Sequence, residues 1–258
     1  MSIRLAAVFV VLLVVSIPCI SPGSGPGGAG IEEKTGSGIP RNIFFFDEGG
    51  ERLALASLLD RPAVISLVYH GCQTICPRLL GGLAVAAAGA DLDGGSYRLI
   101  TVSFDETDTP ALAADRKRNY TAAAGRPLSA NSWRFLTGDQ ENIRRLTDAV
   151  GFSFRPEGKG FEHPRVLVVM APGGRIVRYL DAAHVKPLDI TMAVTEAAGP
   201  SVFEYGGVLL YCFRFAPEEG GYVFDGPKVL MTVAAAFLLI ASAMVLFHQR
   251  YGRRSLAG

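Results

Sequence analysis

The chain of 258 residues has room for one ordinary globular domain plus appendages. Its 25 Lys and Arg are balanced by 24 Asp and Glu, so no bulk basic excess points to a nucleic-acid partner, and any partner must be recognised locally. Hydrophobic residues make up 49% of the chain, and much of that share lies at the two ends, which decide the compartment.

Leu5 to Ile17 form an apolar run behind a single Arg4, followed by Pro18 and the Gly/Pro/Ser-rich stretch Ser21 to Gly30. This pattern predicts a secretory leader, too short for a comfortable membrane span, and assigns residues 1–30 to that leader and a flexible linker. An uncleaved N-terminal anchor competes with it, because the small-residue cleavage site between Ser21 and Gly30 is poorly defined. Lipidation at Cys19 is disfavoured by Pro18, a poor substitute for the small residue such sites use.

Ile43 to Phe46 and Glu51 to Leu55 flank Asp47-Glu48-Gly49-Gly50, a turn composition, and predict an N-terminal hairpin. The apolar, β-branched run Ala63 to Tyr69 predicts a core strand. It leads directly into Cys72-Gln73-Thr74-Ile75-Cys76-Pro77, and Pro77 suits the first turn of a helix expected over Arg78 to Ala88. Both sulfurs are thus expected near a helix N-terminus, where partial positive charge favours thiolate. Three residues between the cysteines, rather than two, shift the balance toward metal binding. Positions four apart share a helix face, so two thiolates can converge on one ion.

Arg98 to Phe104 predicts a second core strand. The following Asp105-Glu106-Thr107-Asp108-Thr109-Pro110 starts a helix with Thr109 as N-cap and Pro110 at its first position, running to about Ala124. Trp133 to Leu136 forms a short strand, and Asp139 caps a helix ending near Val150. Arg165 to Met170 is a third core strand. Pro172-Gly173-Gly174 turns the chain so that Ile176 to Leu180 returns antiparallel, and Pro187 to Ala198 is the closing helix. Strand-helix alternation finished by a hairpin and a helix makes an α/β, thioredoxin-like sandwich.

Past residue 199 comes a juxtamembrane extension, residues 200–228, expected to lie outside the sandwich; its Tyr211-Cys212-Phe213 reads as a thiol that is buried or at the membrane interface. Val229 to Phe247 carries no charge and is long enough, as a helix, to cross about 30 Å of hydrocarbon. Arg250, Arg253 and Arg254 follow at once. The positive-inside rule keeps them and the tail, residues 248–258, in the cytoplasm and puts the domain on the outer face.

Loss of Cys19 with the leader leaves Cys72, Cys76 and Cys212, an odd number that no purely structural disulfide scheme satisfies. A local Cys72–Cys76 bridge would close too short a loop to stabilise much. The third chemical residue is His163, in Gly160-Phe161-Glu162-His163-Pro164, at the entrance to the third core strand, where the topology brings the chain against the cysteine loop. Two thiolates and an imidazole suit Cu(I). Glu162 is a candidate acceptor behind His163, although adjacent strand residues point to opposite faces. His70, at the end of its strand, as readily faces away from the cysteines and is only a candidate auxiliary ligand, while His184 reads as loop surface and His248 as membrane boundary. Asp105 and Asp108 are candidates for tuning the thiols or binding a partner, with helix capping by Asp108 and Thr109 as the simpler role.

Val68 to Pro77, Val102 to Pro110 and Phe161 to Pro164, in that order and spacing, resemble the signature blocks of the SCO/SenC family over residues 31–199. Phe135-Leu136-Thr137-Gly138-Asp139 also resembles the family's block before its fourth helix. The resemblance implies a membrane-anchored, thioredoxin-fold protein of the bacterial inner membrane, its domain facing the periplasm or cell exterior. It implies copper, as Cu(I) with Cu(II) as a further form, held by Cys72, Cys76 and His163. The implied partners are the copper-bearing subunit of cytochrome c oxidase, whose dinuclear copper centre receives the metal, and a periplasmic copper donor. Two departures stand out. Glu162 replaces the Asp more usual before the ligand histidine, and the anchor is C-terminal where many members have it at the N-terminus. Two functions stay open: a metallochaperone without turnover, and a thiol-disulfide oxidoreductase that uses Cys72 and Cys76 as a redox pair to reduce the oxidase subunit. Copper binding needs His163 and exchange does not. A peroxidase ranks third, its cysteine belonging to a different context.

Overall fold

Ala63 to Val68 is buried at all six positions, as a strand covered on both faces must be. The computed structural model describes residues 28–72, 75–90, 92–125, 132–199 and 206–254; the expected leader, Cys19, most of the linker and the last four residues lie outside them. In chain order the elements are β1 (Gly30–Ile31), β2 (Phe44–Phe46), β3 (Arg52–Ala54), β4 (Ala63–Val68), α1 (Ile75–Gly89), β5 (Arg98–Ser103), α2 (Pro110–Ala123), β6 (Trp133–Leu136) and α3 (Gln140–Ala149). They continue as β7 (Phe152–Ser153), β8 (Arg155–Glu157), β9 (Gly160–Glu162), β10 (Val166–Met170), β11 (Ile176–Asp181) and α4 (Pro187–Ala198). The chain ends with α5 (Gly206–Cys212), β12 (Phe213–Ala216), β13 (Gly221–Phe224) and α6 (Gly226–Arg254).

The central sheet has five strands in the order β11-β10-β4-β5-β6. β4, β5 and β6 are parallel, β10 runs antiparallel to β4, and β11 antiparallel to β10. One face packs on α1, α2 and α4 through residues such as Leu80, Leu83, Tyr120, Trp133 and Ile190. The other packs on the β2–β3 hairpin and α3 through Phe45, Leu55, Ile65, Ile100 and Ile143. Each such side chain, fully buried, contributes about 1.5–3 kcal/mol. This is the expected thioredoxin-like sandwich. The caps are also as expected: Thr109 Oγ1 accepts the Leu112 N–H at 3.3 Å, and Asp139 accepts the Asn142 N–H at 2.8 Å.

Three features depart from the sequence expectation. First, α1 begins at Ile75 rather than Arg78. Pro77 is tolerated there because first-turn amides have no partner within the helix. Second, β8 and β9 form an additional antiparallel hairpin, turned at Gly158 with φ of +58°. Its strands are too short and too exposed to show the alternation by which strands are recognised.

Third, the extension does not stand outside the sandwich. Its β12–β13 hairpin places Tyr222 in the same core as α1 and α4. The Tyr222 N–H donates to Asp189 Oδ1 at 2.9 Å, and its hydroxyl donates to Glu196 Oε2 at 2.5 Å. Arg178 pairs with Glu196 at 2.5 Å and lies 4.5 Å from the centre of the Phe215 ring. Asp189 and Glu196 are two turns apart on α4, so they face the hairpin together. Beyond it, Gly226–Met244 has a mean hydropathy of 1.8 and none of it is buried by the rest of the protein. That segment is long and apolar enough to cross a membrane.

Candidate metal centre

Three segments meet at one end of the sheet: the loop leaving β4, the loop leaving β5 and the chain entering β10. β5 lies beside β4 with Val68 opposite Ser103, and the ladder takes one more step, from Phe104 N–H to Val68 O at 2.8 Å. The two loops therefore leave side by side. On the other flank, Leu167 of β10 lies opposite Ser66 of β4. Continued four residues, that antiparallel register sets position 163 level with position 70. The topology delivers His163 to the loop that carries the cysteines, as the sequence predicts.

Asp108 holds that loop. Its Oδ2 accepts the His70 amide at 2.5 Å and the Ser103 hydroxyl at 2.6 Å, while Arg116 Nε–H reaches the His70 carbonyl at 2.7 Å. The helix cap once expected from Asp108 and Thr109 together belongs to Thr109 alone. Asp105 closes its own turn, accepting the Thr107 amide at 2.9 Å and hydroxyl at 2.7 Å.

Cys72 precedes α1 and Cys76 lies in its first turn. The sulfurs therefore do not pair as neighbours on a formed helix. They are linked instead by a first-turn amide that has no acceptor within the helix: Cys76 N–H donates to Cys72 Sγ at 3.4 Å;. Both side chains are buried, and neither sulfur is in a disulfide.

Cys76 Sγ lies 3.9 Å from His163 Nε2. His163 Nδ1 is 3.0 Å from the Pro164 carbonyl oxygen. A carbonyl can only accept, so Nδ1 carries the proton and Nε2 turns its lone pair toward the sulfur. Bonds of about 2.3 Å to sulfur and about 2.0 Å to nitrogen, the lengths found at zinc, would span that gap with an open angle at the metal. Among the described residues no three His, Cys, Asp or Glu side chains are grouped to hold a metal ion; the donors that approach are Cys76 and His163, with Cys72 joined to them through the Cys76 amide.

Burial sets the electrostatics. It depresses the His163 pKa below the ordinary imidazole value, leaving the ring neutral and able to donate its lone pair at neutral pH. It also pushes the Cys76 thiol well above its usual value, with the Cys72 sulfur adding to the effect. The expectation of ready thiolates is thereby overturned for Cys76. Taking the charge out of water costs more than the helix end returns. The Tyr69 phenol is likewise pushed up to about 12, first by burial and then by Cys72.

An aromatic wall, unforeseen in the sequence, surrounds His163. Its ring centre is 5.1 Å from Phe104 and 6.1 Å from both Tyr69 and Phe152. Tyr69 packs edge-on to Phe161 at 5.2 Å. Gly160 permits this: a Cβ there would stand 2.5 Å from the Tyr69 hydroxyl oxygen. The available signal was the aromatic residue at the end of the core strand and a second one two positions before the histidine. Beyond Phe104 and Phe161 lies a cavity of about 490 Å³, also lined by Ile143, Phe154, Asp105 and Arg144.

The other candidates are placed elsewhere. His70 is buried, and its Nε2 lies 3.2 Å from the Leu136 carbonyl oxygen, to which it donates. Its Nδ1 has no hydrogen-bond partner among the described residues, and its ring centre is 5.8 Å from Phe135. It joins the cysteine loop to β6. Glu162 does not back His163, since its carboxylate pairs with Arg155 across the β8–β9 hairpin. His184 is on the surface, bound to Asp181 at 2.8 Å. The His248 side chain lies outside the described residues.

The family model described as SCO1/SenC matches residues 38–199. The SCO1 protein homolog of Bacillus subtilis is 25% identical over 159 residues, which cover 60% of this chain and 79% of that protein. Among solved structures, a putative electron transfer protein from Aquifex aeolicus matches with a TM-score of 0.58 and 26% identity, over 64% of this chain and 95% of its own. Arabidopsis thaliana ScoI with copper bound matches with a TM-score of 0.52 and 20% identity, over 62% and 96%. The match spans more than half of the sequence and contains Cys72, Cys76 and His163, and the chain belongs to the SCO1/SenC family.

Proposed function

We propose that the protein is a membrane-anchored copper carrier that takes up Cu(I) at Cys72, Cys76 and His163 and passes it to the dinuclear copper centre of cytochrome c oxidase. The observation that carries this reading is the posture of His163. Its Nδ1–H is held by Pro164 and its free Nε2 faces Cys76 Sγ. Fixing one nitrogen to orient the other is how proteins prepare an imidazole for a metal. Two soft sulfurs and one imidazole match Cu(I), and the copper-bound ScoI relative supports the choice of metal. As cargo, the copper must arrive from a periplasmic donor and leave to an acceptor subunit, and the donor set, though its sulfurs are buried, lies at one end of the sheet, where three segments of the chain meet.

The rival reading, thiol-disulfide exchange, requires a ready thiolate. Burial of the Cys76 thiol works against that at rest. The placement of the domain outside the cytoplasm rests on the apolar helix and the arginines after it;. The test is copper analysis of the full chain, purified in detergent under reducing conditions with copper supplied. One equivalent of Cu(I) is expected in the parent, held much more weakly in His163→Ala. A parent protein that binds none rejects the carrier reading.

A further inference from the structure

The extension between the domain and α6 has two chemically different ends. Phe213 pairs with Phe224 at the open end of the β12–β13 hairpin, where the chain arrives from α5 and departs into α6. The closed end carries Glu218 and Glu219, both exposed. α5 is divided in the same way. Leu209 and Leu210 pack against the core, while Val208 (62% exposed) and Tyr211 (39%) face out. Phe224 is 58% exposed and stands two residues before α6, whose Leu230 and Met231 are exposed as well. Tyr211 is tied to α6 twice: its hydroxyl hydrogen-bonds Thr232 Oγ1, and Lys228 Nζ lies 4.2 Å from the centre of its ring. The assembly is anchored to the domain by Asp189, Glu196 and Arg178 through Tyr222 and Phe215.

From this arrangement we infer that Val208, Tyr211 and Phe224 form a collar that lies in the headgroup region of the lipid bilayer and fixes the domain against the membrane surface. The occupant is lipid because the patch adjoins the apolar stretch Gly226–Met244: Tyr211 is bonded to that helix and Phe224 stands two residues before it, so whatever solvates the helix meets the collar next. Tyr211, an aromatic residue with one polar end, belongs at that depth, and Lys228 beside it can reach the headgroups;. The acidic turn points to the opposite end of the hairpin, where an anionic surface would not repel it. The latch to α4 keeps the domain from hanging on a free linker, and the height of the Cys72–His163 site above the bilayer is then a property of the fold.

The inference rests on reading Gly226–Met244 as a membrane span, and the experiment separates the two. Full-length protein is reconstituted in vesicles of phosphatidylcholine and phosphatidylglycerol whose acyl chains are brominated either near the headgroup or near the bilayer centre. Val208→Trp, Phe224→Trp, Leu238→Trp and Glu218→Trp are compared with the parent, whose one tryptophan, Trp133, is fully buried and gives a constant background. Tryptophan at 208 and at 224 should be quenched several-fold more by shallow than by deep bromine, tryptophan at 238 the reverse, and tryptophan at 218 by neither. If 208 and 224 behave like 218 while 238 is quenched by deep bromine, the collar is wrong and the span stands. If 238 escapes both, the span is wrong and the collar falls with it.

Discussion

His163 Nε2 lies 3.9 Å from Cys76 Sγ while Nδ1 of the same ring is held 3.0 Å from the Pro164 carbonyl. One hydrogen bond thus selects the tautomer that presents a lone pair to sulfur. The neutral ring and the protonated Cys76 thiol have one cause, burial, which disfavours whichever form is charged;. A metal ion that enters must therefore displace a thiol proton, and the ring has none to lose at Nε2.

This gives a signed pH dependence. Because the Cys76 pKa is raised, the thiol is protonated across the neutral range, so copper competes with a proton there. Apparent Cu(I) affinity should rise with pH by about tenfold per unit for each proton displaced. His163 adds little to that slope above the ordinary imidazole pKa, since its own pKa is depressed. Competition against a Cu(I) chelator of known pH response checks it. An affinity independent of pH through the neutral range would mean that Cys76 is already a thiolate.

Asp108 should act through the loop it holds. Asp108→Ala leaves the His70 amide and Ser103 hydroxyl without their acceptor, a change expected to cost about 1–3 kcal/mol of stability. Copper should bind more weakly but with unchanged stoichiometry. Denaturant unfolding with and without Cu(I) measures both effects. Parent-like stability would remove Asp108 from the account.

Gly160→Ala tests the aromatic wall. The added methyl must displace the Tyr69 hydroxyl, whose ring is packed with its centre 5.2 Å from that of Phe161 and 5.7 Å from that of Phe104. Overpacking of this kind costs about 1–3 kcal/mol. Tyr69→Phe, combined with it, should recover most of the loss because it removes the colliding oxygen. Failure of that rescue, measured by thermal unfolding, would place the strain elsewhere.

How far the molecule was legible in its sequence follows the range of each interaction. Thr109, Pro110 and Asp139 announce their helices because caps are local. Trp133–Leu136 and Pro187–Ala198 have the predicted bounds. The β12–β13 hairpin is not legible as part of the domain because its partners, Asp189 and Glu196, lie far back in the chain. Asp108 looked like a cap because its real acceptor role depends on a loop 38 residues away. The cysteine-histidine meeting was legible because strand order alone delivers it. The protonation of Cys76 was not, since a motif carries no record of how deeply a sulfur is buried.

Topology offers a test independent of chemistry. A reporter active only in the cytoplasm should work when fused after Gly258 and fail when fused after Pro200, by the charge asymmetry around Gly226–Met244;. The reverse pattern would remove the proposed oxidase partner along with the compartment.

The central claim is that Cys72, Cys76 and His163 together hold one copper ion while His70 does not. It is tested most directly by X-ray absorption at the copper edge on the full-length protein loaded with Cu(I), parent beside His163→Ala and His70→Ala. The account predicts two sulfur neighbours and one nitrogen neighbour in the parent and in His70→Ala, with the nitrogen absent from His163→Ala. A nitrogen that persists in His163→Ala and vanishes in His70→Ala would contradict it.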